Sequence, residues 1–366
     1  MIFVSRFRFS LRIFKNLPSL LTAGLLILIG THAAYAGGPK YVAGVSYFNP
    51  GVKGQPVIWP GGQVTYFVDR GSLGSLSNTQ AVAMVDASAA IWSAVPTAAV
   101  KLTDGGTLAE DVNGSNVIAG IGSGNPGASP TFAQPSDLAP SATTTSVGVV
   151  FDTDGSVIDA LEGAEASEPD NCSQNGVLVW IDAMNPNATL SHGVIVLNGR
   201  CTTSANLLAM MSYQLERAFG RILGLDFSQV NDGALNANAN LPNGTLGWPV
   251  MDALSGDCGP AGGTCIPNPT TLRLDDIAAL NRMYPVTTAN QASFPGKLLT
   301  AANTISLQGT INFRSGTGMQ GVNVVARPLN SNGNLLYQYT VTFVSDRKST
   351  RLNSSHQGTS RMPSSA

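Results

Sequence analysis

One stretch limits the folds open to this chain more than any other. Apolar residues return at helical spacing from near Ser204 to about Leu223, as Leu207, Leu208, Met211, Leu215, Phe219 and Ile222, and Gly224 follows as a C-terminal stop. A helix with so continuous an apolar side must be covered. The covering candidates are β-branched and aromatic runs at Val64–Val68, Val147–Phe151, Val177–Ile181 and Val194–Leu197, which read as strands. Ser77-Asn78-Thr79-Gln80 has the capping-box pattern ahead of a second helix, with Ala81, Met84, Val85, Ser88, Ile91 and Trp92 on one face and Pro96 closing it. A last helix starts at Asp275, holds Ile277, Leu280, Met283 and Tyr284 inside and ends at Pro285. This order predicts an α+β fold of α/β-like character over residues 37–286.

Residues 287–300 are rich in Thr, Asn, Gln and Ser with Pro295-Gly296, and read as a linker. Beyond it, Thr304–Phe313, Val322–Ala326 and Leu335–Val344 read as strands, with Asn332-Gly333 as a hairpin turn. Residues 301–345 are too few for the sandwich of about 100 residues that such strands suggest, so they predict a truncated all-β domain. From Asp346 the composition changes abruptly, and residues 346–366 resemble an in-frame translation of sequencing adapter. No function is drawn from them, the alternative being a basic linker.

The N-terminus predicts export. Arg6, Arg8, Arg12 and Lys15 precede an apolar stretch from Leu20 to Ile29, and Ala34-Tyr35-Ala36 offers a small-x-small cleavage site after Ala36. The apolar stretch is too short for a stable membrane span, so residues 1–36 read as a signal peptide and the product as secreted or held at the cell surface. Of the 20 Lys+Arg, four lie in that leader and four in the tail, while one of the 22 Asp+Glu lies in the tail. The body therefore keeps 12 basic and 21 acidic side chains, a net charge of −9. Such a body, with no basic cluster, argues against nucleic-acid binding. In an oxidising compartment the four cysteines read as disulfides. Three pairings are open, and proximity favours Cys258 with Cys265, leaving Cys172 with Cys201. A Cys₄ zinc site would need a C-x₂-C pair that is absent.

The chain has three histidines. His32 lies in the leader and His356 in the tail, so only His192 remains for the body. A three-imidazole zinc site within the chain is excluded, and a Ser-His-Asp or Cys-His arrangement could form only around His192. With no nucleophile or acid identifiable nearby, His192 reads as a surface or half-buried residue.

The segment Leu215-Glu216-Arg217-Ala218-Phe219-Gly220-Arg221-Ile222-Leu223-Gly224-Leu225-Asp226-Phe227-Ser228-Gln229 resembles the active-site helix of metzincin zinc peptidases, most closely the matrixin branch, whose pattern is H-E-x-x-H-x-x-G-x-x-H. Pro249-Val250-Met251 resembles that family's Met-turn, placing Met251 beneath the metal. Leu274–Leu280 with Tyr284 resembles its C-terminal helix. The resemblance implies a metzincin-type fold over roughly residues 60–286 and a zinc cofactor. Setting Gly224 on the family glycine puts Arg217, Arg221 and Phe227 at the three histidine positions and Ala218 at the catalytic glutamate. Arginine has no lone pair to give a metal, and alanine cannot act as a base. Shifting the register to use Glu216 puts Leu215 and Phe219 at ligand positions, which does not rescue the site.

The expectation is thus a secreted pseudo-metallopeptidase, acting as a binding or structural module toward an extracellular protein or peptide. The alternative is an active zinc metalloendopeptidase with atypical ligands, Asp226, Asp252 and His192. Arg217 and Arg221 are expected either to pair with Glu216, Asp226 or Asp252, or to bind an anionic group such as a peptide carboxylate. Asp152-Thr153-Asp154-Gly155 with Asp159 has the look of a calcium loop but lacks the further ligands of an EF-hand. A tight turn is the preferred reading there.

Overall fold

In the computed structural model, which describes residues 38–118, 131–132, 136–230, 249–252, 271–307, 309–319, 322–344 and 360–363, the apolar runs assemble into a five-stranded sheet. Its strands are β1 (Gln63–Val68), β2 (Lys101–Thr107), β3 (Val147–Asp152), β4 (Val177–Asn185) and β5 (Thr189–Asn198), in the order β2-β1-β3-β5-β4. All neighbouring pairs are parallel except β4, which runs antiparallel to β5 at one edge. Every residue of central β3 is buried, which is why its sequence is a continuous apolar run rather than an alternation.

Helices α1 (Asn78–Ser93) and α3 (Ala205–Ile222) cover one face, and α2 (Ser156–Glu162) lies on the other. Along β5, Ile195 and Leu197 join the α1/α3 core with Trp92, Leu215 and Phe219, while Val194 and Val196 join Leu108, Leu138 and Ile158 beyond the sheet. Ser77 caps α1 reciprocally with Gln80, a device contributing about 1 kcal/mol. Trp92 locks the two helices together, its Nε1 donating to the Glu216 carbonyl at 2.8 Å.

The end of α3 leaves carbonyls with no partner inside the helix, and each is answered. Gly224, at φ 83°, makes the left-handed turn. Leu225 N then returns to Gly220 O at 3.0 Å and Gly224 N to Arg221 O at 2.9 Å. Trp59 Nε1 donates to Ile222 O at 2.6 Å and the Tyr284 hydroxyl to Leu223 O at 2.7 Å. The glycine stop read from the sequence is therefore backed by two distant residues, Trp59 and Tyr284.

One expectation changes. Residues 287–300 are a packed strap rather than a linker: Val286 and Phe294 are buried against Ala99. Lys297 Nζ donates to Ser93 O at 2.5 Å and Val95 O at 2.6 Å, and Thr300 Oγ1 donates to Thr97 O at 2.6 Å. Polar composition misleads here because those side chains serve the open carbonyls at and just past the end of α1. Residues 301–345, expected as a truncated β domain, contribute three short strands to the unit Tyr35–Ala366. Thr304–Phe313 yields only β6 (Thr304–Leu307), and β7 (Asn323–Ala326) pairs antiparallel with β8 (Val341–Val344). Strand β6 pairs with β9 (Ser360–Pro363). Tyr337–Tyr339 is a 3₁₀ turn, and Thr342 of β8 donates through N and Oγ1 to Asp275 of α4 (Leu274–Met283). The Asn332-Gly333 turn is present, with Gly333 at φ 80°. Residues 1–36, Cys258, Cys265 and most of the tail lie outside the described residues. Among the described residues, no helix is long and apolar enough to cross a membrane.

Candidate functional site

Helix α3 places Arg217 and Arg221 one turn apart, with Ala218 turned into the core. The turn at Gly224 then brings Phe227 back against both. The Phe227 ring centroid lies 4.5 Å from Arg221 Cζ and 5.3 Å from Arg217 Cζ, while Arg217 Cζ is also 5.6 Å from the Tyr213 ring. The three positions where the sequence resemblance expected imidazoles thus converge as an arginine–aromatic stack.

The two arginines are not equivalent. Arg221 Nη1 donates to Asp226 Oδ1 at 2.6 Å and to Leu225 O at 3.3 Å, and the pair is mostly shielded from solvent. Asp226 Oδ1 also accepts from Phe227 N at 2.9 Å, so one carboxylate fixes both the cation and the ring's backbone. Among the described residues Arg217 makes no such pair, and its Nε is buried without a hydrogen-bond partner. Burial pulls the Arg217 pKa below its ordinary value, and the neighbouring Tyr213 and Asp252 act the other way. Of the acids expected to pair with these arginines, Asp226 does so, while Glu216 points into the core.

Lys40 was not singled out by sequence reasoning, and no local signal marks it. It arrives because the N-terminal segment bridges the end of α3, with Lys40 N donating to Gly224 O and Asp226 N donating to Gly38 O, both at 2.7 Å. Burial first, and Arg221 second, hold the Lys40 pKa down to about 8.

The floor of the site is carboxylate-clamped. Met251 is buried under α3: a Cβ at Gly220 would sit 2.4 Å from Met251 Sδ and 2.7 Å from Trp92, so only glycine lets these groups meet. Asp276 accepts from Val250 N at 2.9 Å, Met251 N at 3.0 Å and Arg273 N at 2.9 Å. Asp275 accepts from Ser228 Oγ at 2.5 Å and from Thr342. Tyr213 donates its hydroxyl to Val250 O at 3.0 Å. Burial raises Asp276 to about 7, and burial followed by the Asp276 charge raises Glu216 to about 9.

The other candidates fall elsewhere. His192 is fully buried, not a surface or half-buried residue, and its Nδ1 lies 2.6 Å from Asp182 Oδ1. The register shifts between Ile181 and Ala183 opposite Gly193 and His192, and this bulge carries Asp182 to the imidazole. The ligand set Asp226, Asp252 and His192 is not assembled: among the described residues no three His, Cys, Asp or Glu side chains group as a metal site. Asp152, Asp154 and Asp159 are not brought together around a cation either. They accept separately from Ile158 N, Ser156 N and Ser167 N at 2.8, 3.0 and 2.9 Å, as turn-forming carboxylates do. Cys172 and Cys201 form a disulfide just before α3, with Gln214 Nε2 of that helix donating to Cys172 O at 3.0 Å.

Zinc needs imidazole, thiolate or carboxylate donors around an open position. Two guanidiniums, a phenyl ring and a carboxylate already committed to Arg221 do not fit that need. No family model, no curated protein and no solved structure matches the chain.

Proposed function

We propose that this chain is an exported, metallopeptidase-like binding module of metzincin-type fold, in which an arginine–aromatic stack stands where the resembled family ligates zinc. The observation that carries this reading is the Phe227 ring lying against both Arg217 and Arg221, at 5.3 and 4.5 Å. A ring packed on two permanent cations leaves neither a lone pair for a metal nor a base for water, and Ala218 supplies none. Support for the framework comes from the long α3 crossing a largely parallel sheet, the left-handed Gly224 turn and Met251 beneath Gly220. Support for export comes from the basic-then-apolar N-terminal pattern and from the Cys172–Cys201 bond, which suits an oxidising compartment. The partner is then an extracellular protein or peptide.

Metal analysis of the purified chain, joined to casein hydrolysis with and without chelator, tests the proposal. The expected result is sub-stoichiometric zinc and no chelator-sensitive cleavage. Stoichiometric zinc with chelator-sensitive cleavage would favour an active endopeptidase with atypical ligands and remove the proposal.

A further inference from the structure

We infer that Arg217 is the ligand-engaging cation of this site and that it takes a single carboxylate, from an acidic side chain or the free C-terminus of a peptide. This inference rests on the binding-module reading above and names its ligand class. Charge accounting around α3 separates the two arginines. Arg221 is neutralised by Asp226 at 2.6 Å and held again by Leu225 O. Arg217 is fixed in place, between the Tyr213 and Phe227 rings at 5.6 and 5.3 Å, yet its buried Nε has no acceptor. A desolvated guanidinium with an orphaned donor is costly unless something supplies the missing acceptor. Two flanking rings also remove much of the rotamer freedom that binding would otherwise have to freeze, so the planar fork is preorganised. Arg217 as a whole is half-buried, so part of its side chain stays in reach of solvent while its Nε does not.

The charge of the ligand follows from the same census. Among the described residues, Arg217, Arg221 and Lys40 face Asp226 and Asp252, three cations to two carboxylates, which leaves a net positive charge of one for a ligand to answer. A monoanion with two coplanar oxygens matches one guanidinium edge. A phosphate dianion would exceed that single net positive charge and meet the two carboxylates as well.

Titration calorimetry of the exported chain tests this with acetyl-Gly-Gly-Glu amide against its Gln counterpart, acetyl-Gly-Gly-Ala with a free against an amidated C-terminus, and inorganic phosphate. At least one carboxylate peptide is expected to bind about tenfold more tightly than its neutral counterpart, and which pair discriminates identifies the source of the carboxylate. Arg217→Met should erase that discrimination. Arg217→Lys, which keeps the charge and loses the fork, should retain part of it. Saturation should also shift the Arg217 Nε–Hε resonance, a readout that needs no variant to fold. Equal binding of carboxylate and neutral peptides, unchanged discrimination in folded Arg217→Met, or tighter binding of phosphate would overturn the inference. Those results leave the zinc-free reading standing, whereas chelator-sensitive proteolysis would remove that reading itself.

Discussion

Arg221 reaches across the Gly224 turn to Asp226 at 2.6 Å, and the same carboxylate oxygen accepts the Phe227 amide. This contact helps to hold the turn closed and presents the Phe227 face, and of the two site arginines it is Arg221 that takes the acid, while Arg217 has none among the described residues.

Because this pair is mostly buried, removing one partner strands the other. Asp226→Ala should destabilise the chain by about 3 kcal/mol, read from urea unfolding. The double variant Asp226→Ala/Arg221→Met should recover part of the loss, since it no longer buries a lone cation. If the double variant is less stable than Asp226→Ala, the pair is not the closing element described here.

Gly220 offers a steric test of the floor. Its added methyl would overlap Met251 Sδ and the Trp92 ring. Gly220→Ala should therefore cost about 1–3 kcal/mol and weaken the near-ultraviolet circular dichroism of Trp92. A stability equal to that of the native chain would mean that Met251 does not pack under α3.

Much of the frame that carries this site is legible from local patterns. The apolar stripe of α3, its glycine stop, the capping box at Ser77 and the β-branched runs all act within a few residues, and each reappears as an element. Arg217 and Arg221 are alike in sequence. They differ only because a turn delivers Asp226 to one of them. Lys40 beside Arg221 and Asp182 beside His192 depend on strand and segment pairing, which no local period encodes. The strap at 287–300 misreads for a related reason: its polar side chains look solvent-seeking until the carbonyls of residues 93, 95 and 97 are set against them.

That strap yields a third prediction. Lys297→Met removes a charged donor from Ser93 O and Val95 O and should cost about 1.5–3 kcal/mol. A chain ending at residue 286 should melt well below one ending at residue 307, because Ala99 and Thr97 lose their cover. Equal melting temperatures would restore the linker reading.

Stability should also fall as pH rises. Asp276 moves from an ordinary 3.8 up to about 7, and Glu216 from 4.5 up to about 9, both chiefly by burial. The folded chain therefore holds protons that the unfolded chain has released. The resulting stability is fully present below about pH 4 and is lost as pH climbs through the folded values. Melting temperature should decline between about pH 5 and 8, and Glu216→Gln, which mimics the protonated acid, should flatten that decline. A melting temperature that rises across this window would contradict the assignment.

The proposal to be tested is that a metzincin-like frame carries replaced residues at its zinc-ligand positions. The most direct measurement is the zinc-to-protein ratio after dialysis of the native chain and of the variant Arg217→His/Ala218→Glu/Arg221→His/Phe227→His. The account predicts well below one zinc for the native chain and about one for the folded variant. One tightly held zinc in the native chain, or none in a folded variant, would contradict it.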